Sequence, residues 1–507
     1  MNYKSTRDNR IQVSSAQAIS QGICSDGGLF VPERLPHFSY VDLCALKQIG
    51  YTDLAARIMS PFLSDFTAEE IADSVCAAYT GGKFENDTPA PISLLQNGQI
   101  SMYMLELWHG PTCAFKDMAL QLLPHLLTKS LKKIHSSKTA LILVATSGDT
   151  GKAALEGFKD VEGTCIQVFY PQNGVSSMQK RQMNTQEGSN VTVCAIEGNF
   201  DDAQTGVKKI FSDAKINELL EQNNMMFSSA NSINWGRLLP QIVYYFSAYC
   251  DLMASGEIDK RGEEVNIVVP TGNFGNILAA YYAKKMGLPV HKLICASNSN
   301  NVLTEFLKTG VYNRNRHFYA TVSPSMDILV SSNLERLLYD LTGGDSARIT
   351  GWMSELNENG RYQVGDDILS QLHDIFYAGY CDDDQTKETI HEIFNTEKYL
   401  CDTHTAVAVQ VYHHYVNDTN DVQTPTIVVS TASPYKFADS VLNAITNEDN
   451  KFGSEFTRIN ELSAVTGTPI PAPIAALESK QVLFDNLCTK EEMGDFVLKT
   501  ADIKCNI

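Results

Sequence analysis

One lysine, two glycine-bearing loops and a few placed cations are the residues of this chain whose types and spacing could do chemistry. The lysine is Lys116, in His109-Gly110-Pro111-Thr112-Cys113-Ala114-Phe115-Lys116-Asp117. It stands between an aromatic residue and an apolar helix-like run. A lysine withdrawn from water has a lowered pKa and becomes a nucleophile for Schiff-base chemistry. The same residue also reads as a solvated lysine at a helix start, paired with Asp117. The first loop is Val269-Pro270-Thr271-Gly272-Asn273-Phe274-Gly275-Asn276. Its glycines allow close backbone approach, and a helix start beyond it offers unpaired N–H groups, a combination that suits a phosphate. GxGxxG is absent, so it is not a dinucleotide fingerprint. The second loop is Thr146-Ser147-Gly148-Asp149-Thr150-Gly151-Lys152. It fails as a Walker A loop, because Thr146 stands where the first Gly is needed and Ala153 where Ser or Thr is needed. What remains is a set of hydroxyls and N–H groups that could hold a carboxylate or phosphate, or an ordinary cap by Ser147 or Asp149.

The elements around these residues must place them. Ala140–Ala145 is a short apolar run bounded by turn residues, as expected of a buried parallel strand. Cys165–Tyr170, Val191–Ile196, Asn266–Val269, His291–Ala296 and Thr426–Ser430 read likewise, and Ser101–Leu107 reads as another strand. Helical spacing predicts Met118–Leu131, Ala153–Phe158, Asp202–Leu220 and Ile277–Met286, the last closed by Gly287 with Pro289 after it. This alternation predicts an α/β architecture with parallel sheets, and in such sheets ligands sit at the carboxyl ends of strands. All three loops fall there. A lysine for a Schiff base, a loop for a phosphate and a loop for a carboxylate are together the parts needed to hold pyridoxal phosphate and an amino acid.

The chain has 507 residues, 43% hydrophobic and 20% charged, enough for several cores. With 40 Lys+Arg against 59 Asp+Glu the net charge is −19. A field of that sign repels nucleic acid and anionic membranes, so neither is an expected partner. It also means that any anion site must be built locally. The 12 cysteines are scattered, with no CxxC and no zinc-type spacing, and no metal is expected. They read as reduced thiols of a cytoplasmic protein, and the charged first residues carry no apolar signal region.

These motifs, in this order, resemble threonine synthase, a fold-type II pyridoxal-phosphate family related in fold to the tryptophan synthase β chain, in the branch found in bacteria and fungi. The resemblance spans nearly the whole chain: Asp26-Gly27-Gly28-Leu29-Phe30-Val31-Pro32, the Lys116 segment, Thr146–Gly151, Glu197–Asp202, Asn231–Trp235 with Arg237, Gly272–Asn276, Ser323–Asp327, His404-Thr405-Ala406, Thr431-Ala432 and Lys436-Phe437. Departures are Ser433, where the family often has His, Thr403, where it often has Pro, and Cys113 in place of a common Leu.

The resemblance implies two open, twisted, mostly parallel sheets behind an N-terminal helical and mixed domain. The expected domains are residues 1–97 at the N-terminus, 98–131 with 232–460 as the large cofactor domain, 132–231 as a small mobile domain, and 461–507 as a C-terminal cap. It implies Lys116 as the Schiff-base lysine and catalytic base. Gly272, Asn273, Phe274, Gly275 and Asn276 would hold the cofactor phosphate, with Thr431 at the pyridine nitrogen and Phe115 packing nearby. Ser147, Asp149 and Thr150 would face the substrate. Lys152, Arg181 and Arg237 are candidates for its phosphate, Arg237 foremost and Arg7 least. His109, His125 and His404 read as structural. The implied reaction takes O-phospho-L-homoserine to L-threonine and phosphate. Alternatives are a phospho-lyase releasing 2-oxobutyrate and a silent pyridoxal-phosphate-binding protein. The chain would act as a monomer or a homodimer.

Overall fold

A computed structural model describes residues 1–507 other than 87, 98, 99, 147, 174, 259, 448–452 and 505–507; the side chains of 97, 100, 200, 201 and 502–504 are also outside the description. Two sheets carry the architecture. The larger has six strands in the order Phe376–Tyr380, Val290–Ser297, Val265–Pro270, Thr426–Ser430, Ile100–Glu106 and Ile92–Asn97. All its neighbours are parallel except the last pair, an antiparallel hairpin at the edge. The smaller has five parallel strands in the order Asn486–Cys488, Val191–Ile196, Thr164–Pro171, Thr139–Ala145 and Met225–Ser228. The central strands of both are buried on both faces, which is why they read as unbroken apolar runs.

Several elements differ from the sequence expectation. The run predicted as one helix over Met118–Leu131 is two, Asp117–Leu120 and Leu123–Lys133, with Pro124 in the first turn of the second. The run predicted over Asp202–Leu220 is also two, Phe200–Ser212 and Ala214–Gln222. Asp213 ends the first, and its side chain accepts from the N–H groups of Lys215 and Ile216 to start the next. The helix expected from Ala153 begins four residues earlier, at Asp149. The C-terminal region does more than cap: Asn486–Cys488 is an edge strand of the smaller sheet. The cysteines read as thiols include Cys24, Cys113, Cys194, Cys401 and Cys488, which are free. Among the described residues no helix is long and apolar enough to cross a membrane, and no group of His, Cys, Asp and Glu could hold a metal ion.

The core of the larger unit is threaded by Trp235–Ser255, whose side chains are buried on nearly every face. Its start is fixed by Asn234, which accepts from Gly236 N–H and donates to Ile19 O and Ser229 O. That pinning matters because Arg237 lies in the first turn.

Candidate active site

The Lys116 segment is held by the strand end beside it. After Thr426–Ser430 the chain runs alongside Cys113–Phe115: Phe115 N–H donates to Thr431 O at 2.8 Å, Ser433 N–H donates to Cys113 O at 3.0 Å, and Ala114 bridges Ala432. Cys113 takes a positive φ of 57° to make this turn. Asp117 does not pair with Lys116. Its carboxylate turns back and accepts from Thr112 N–H at 2.8 Å and Thr112 Oγ1 at 2.7 Å, and burial raises its pKa to about 6. Lys116 is thereby aimed at the smaller sheet.

There it meets Asp149. Lys116 Nζ lies 3.6 Å from Asp149 Oδ2 and 4.9 Å from the centre of the Phe115 ring. Both charged residues are buried, 8% and 4% exposed. Burial lowers the Lys116 pKa to about 8, against the pull of Asp149 and with the help of Arg237 and Lys436. Asp149 has three further partners: Lys436 Nζ at 2.7 Å, Gln179 Nε2 at 3.0 Å and Ser325 Oγ at 3.3 Å. Burial alone would raise the Asp149 pKa, but the two ammonium groups outweigh it and hold the carboxylate well below its usual range. Gly148 permits this packing. Its φ of 136° is unfavourable for any side chain, and a Cβ there would fall 2.2 Å from the Gln179 amide.

The loop Thr271–Asn276 lies at the end of strand Val265–Pro270 and is buttressed from below. Gly272 O accepts from Ser331 Oγ at 2.9 Å, and a Cβ on Gly272 would fall 2.8 Å from Ser325 O. Asn273 O accepts from both Asn333 N–H and Asn333 Nδ2 at 3.1 Å. Phe274 adopts φ 62° and starts the helix Gly275–Lys285. Asn276 Oδ1 accepts from Tyr244 at 2.5 Å and from Tyr245 at 2.6 Å, which fixes the amide and leaves the buried Nδ2 without a partner among the described residues. An orphaned buried donor at a helix start is where an anion would complete the hydrogen bonding. The residues present therefore fit a phosphate. The Ser323–Asp327 segment that backs this loop is held in turn by His404, whose Nε2 accepts from Ser325 N–H at 3.1 Å while Asp402 fixes Nδ1 at 2.8 Å.

The candidate cations separate clearly. Arg237 is 5% exposed, donates from Nη1 to Ala230 O at 2.9 Å, and among the described residues has no carboxylate partner; burial lowers its pKa to about 10. Lys152 is held by Glu156 at 3.0 Å and by Gln186, away from Asp149. Arg181 is spent on the carbonyls of Leu477, Glu478 and Lys480, and Arg7 on Glu335. Thr150 is half-buried in the first turn of the Asp149 helix, and Ser147 lies outside the described residues. His109 sits between Glu106 at 2.7 Å and Glu85 at 3.1 Å; burial opposes its charge, but the two carboxylates prevail and lift its pKa to about 9. Burial lowers the pKa of His125 to about 4. Sequence reasoning assigned no role to Lys436, Gln179, Ser325 or Asp402. Each meets the site from far along the chain, and only the motif matches around Ser325, His404 and Lys436 pointed that way.

Comparison with known proteins agrees with this geometry. Family models match in three pieces: threonine synthase N terminus over residues 2–79, pyridoxal-phosphate dependent enzyme over 88–431, and threonine synthase C-terminal over 405–489. Threonine synthase-like 1 of Homo sapiens is 41% identical over 85% of this chain, and the chain spans 58% of that protein's length. Threonine synthase of Pseudomonas aeruginosa is 39% identical, with 88% of this chain and 90% of the relative covered. The crystal structure of threonine synthase from yeast superposes with a TM-score of 0.88 at 33% identity over 100% of this chain and 99% of that one. The pyridoxal-phosphate-bound threonine synthase from Brucella melitensis does so with 0.84 at 36% identity over 98% of each. The architecture is that of a fold-type II pyridoxal-phosphate enzyme.

Proposed function

The chain belongs to the threonine synthase family, and on that premise we propose that it is a pyridoxal-phosphate enzyme converting O-phospho-L-homoserine to L-threonine and phosphate. The observation that carries this reading is the buried amine of Lys116 opposite Asp149, together with a strand-to-helix loop whose buried Asn276 donor has no partner among the described residues. Lys116 would hold the cofactor covalently, Gly272, Asn273, Phe274, Gly275 and Asn276 its phosphate, and Thr431 its ring nitrogen. When bound, the cofactor supplies an electron sink for the carbon atoms next to the substrate amine.

The protein's own groups supply the rest. With its pKa lowered to about 8, Lys116 can accept and return protons near neutral pH. Arg237 is a buried cation with no carboxylate partner among the described residues, and the substrate phosphate would neutralise it. Ser147, Thr150 and the N–H groups around Asp149 would take the substrate carboxylate. Lys152, held by Glu156, acts at longer range. Residues 132–231 form the small domain that closes over substrate, against the large domain of 98–131 with 232–460; 1–97 and 461–507 flank them. A cytoplasmic setting belongs to this reading and rests on buried free thiols such as Cys24, Cys113 and Cys401. Incubation with O-phospho-L-homoserine tests it: phosphate and threonine should appear together, whereas phosphate with 2-oxobutyrate would make the protein a phospho-lyase.

A further inference from the structure

Lys436 is the charged group at this junction that the reading above leaves idle. It lies in the short turn Pro434–Phe437, its side chain is fully buried, and its ammonium meets Asp149 Oδ1 at 2.7 Å and Thr112 O at 2.9 Å. Thr112 belongs to the loop carrying Lys116, and Asp149 opens the helix that follows the strand Thr139–Ala145 of the smaller sheet. One ammonium therefore joins three segments from both sheets around the reactive lysine. We propose that Lys436 is a positioning residue: it keeps Asp149 fixed and neutralised, so that the Lys116 amine can release its proton without stranding a buried carboxylate.

The physical argument is one of charge balance in a dry site. Asp149 has two oxygens and two cations, Lys436 on Oδ1 and Lys116 near Oδ2. Were Lys116 the sole cation, each loss of its proton would leave Asp149 buried and unpaired, and the pair would hold the proton on Lys116. With Lys436 in place the carboxylate stays satisfied in either state of Lys116. The charged groups facing Lys116 are Asp149, Arg237 and Lys436; Asp117 and the Cys113 thiol lie within the field of Lys436. Among these, Asp149 holds the proton on Lys116, while Lys436 and Arg237 repel it. Burial, the largest influence on Lys116, acts with the cations.

This inference rests on Lys116 being the residue that captures pyridoxal phosphate. The test uses the full-length chain stripped of cofactor. The rate of pyridoxal-phosphate capture on Lys116 is measured by borohydride trapping and peptide mass across about pH 6 to 10. The wild-type midpoint should fall near 8. Lys436→Met should move it up by about one pH unit, which slows capture roughly tenfold at neutral pH. Lys436→Gln, which keeps a donor for Asp149 and Thr112 O without the charge, should do the same. Lys436→Arg should restore the wild-type midpoint, and Asp149→Asn should shift it the opposite way. An unmoved or lowered midpoint in Lys436→Gln overturns the proposal, even where Lys436→Met fails to fold. A wild-type chain that captures no cofactor on Lys116 removes the proposed function, and this inference with it.

Discussion

Replacing Arg237 by Met separates a binding cation from a structural one, because the two roles give opposite signs. The guanidinium is buried with one carbonyl partner and no carboxylate among the described residues. Burial holds its pKa down at about 10. The gap from an ordinary guanidinium corresponds to about 3 kcal/mol that the empty protein spends to keep this charge. Met removes that cost but leaves Ala230 O without its donor, which costs about 1 kcal/mol. The empty variant should therefore be more stable by about 2 kcal/mol, seen as a raised denaturant midpoint with unchanged slope. Substrate should suffer in the other direction. A buried phosphate that loses its charged donor loses about 2–4 kcal/mol, so the O-phospho-L-homoserine concentration for half-maximal rate should rise roughly 30- to 1,000-fold. Urea unfolding of the cofactor-free protein, paired with initial rates of phosphate release by the loaded protein, reads both quantities. A variant that is destabilised by several kcal/mol with an unchanged KM would refute the reasoning and make Arg237 a core residue.

Further outcomes follow from the same geometry. Lys116→Ala should abolish borohydride-trappable cofactor and turnover, and trapping retained elsewhere on the chain would contradict the assignment. Reaction of the cofactor-free protein with pyridoxal phosphate, limited by the neutral Lys116 amine, should climb with pH, about tenfold per unit, and level off near 8; a profile flat from pH 6 upward would contradict it. His109 is raised to about 9 between Glu106 and Glu85. Its folded pKa exceeds the unfolded one, so its contribution is full below about pH 6.5 and disappears as pH rises through 9. The stability gap between wild type and His109→Gln, measured by urea unfolding, should shrink over that window by about 2–3 kcal/mol. Gly157→Ala would place a Cβ 1.9 Å from Leu120 O and push the Asp149 helix off the Lys116 segment. It should cost more than about 2 kcal/mol and weaken cofactor binding; a wild-type melting curve with full cofactor retention would contradict that.

The sequence discloses most of what is local. Ala140–Ala145 and Asn266–Val269 read as parallel strands because burial on both faces leaves only apolar side chains. The three loops were legible because strand-to-helix junctions concentrate Gly, Thr, Asn and Ser. Phe376–Tyr380, in contrast, is an edge strand inside a polar, helix-rich stretch, and its pairing with Val290–Ser297 depends on tertiary placement. The break at Asp213 is a single capping residue within a continuous amphipathic pattern, which periodicity alone passes over. At the site, the segment around Lys116 was visible, but its partner was not: Asp117 is the neighbour in sequence, while Asp149 and Lys436 arrive through the fold. The sequence offered Lys152 as a phosphate ligand, and its pairing with Glu156, one turn along its own helix, becomes visible only in the structure.

The central claim is most directly measured by following phosphate and the organic product in one incubation of the cofactor-loaded protein with O-phospho-L-homoserine. The account predicts one threonine for each phosphate released, and no release by Lys116→Ala. Phosphate accompanied by 2-oxobutyrate in place of threonine, or no phosphate from a fully loaded protein, would contradict it.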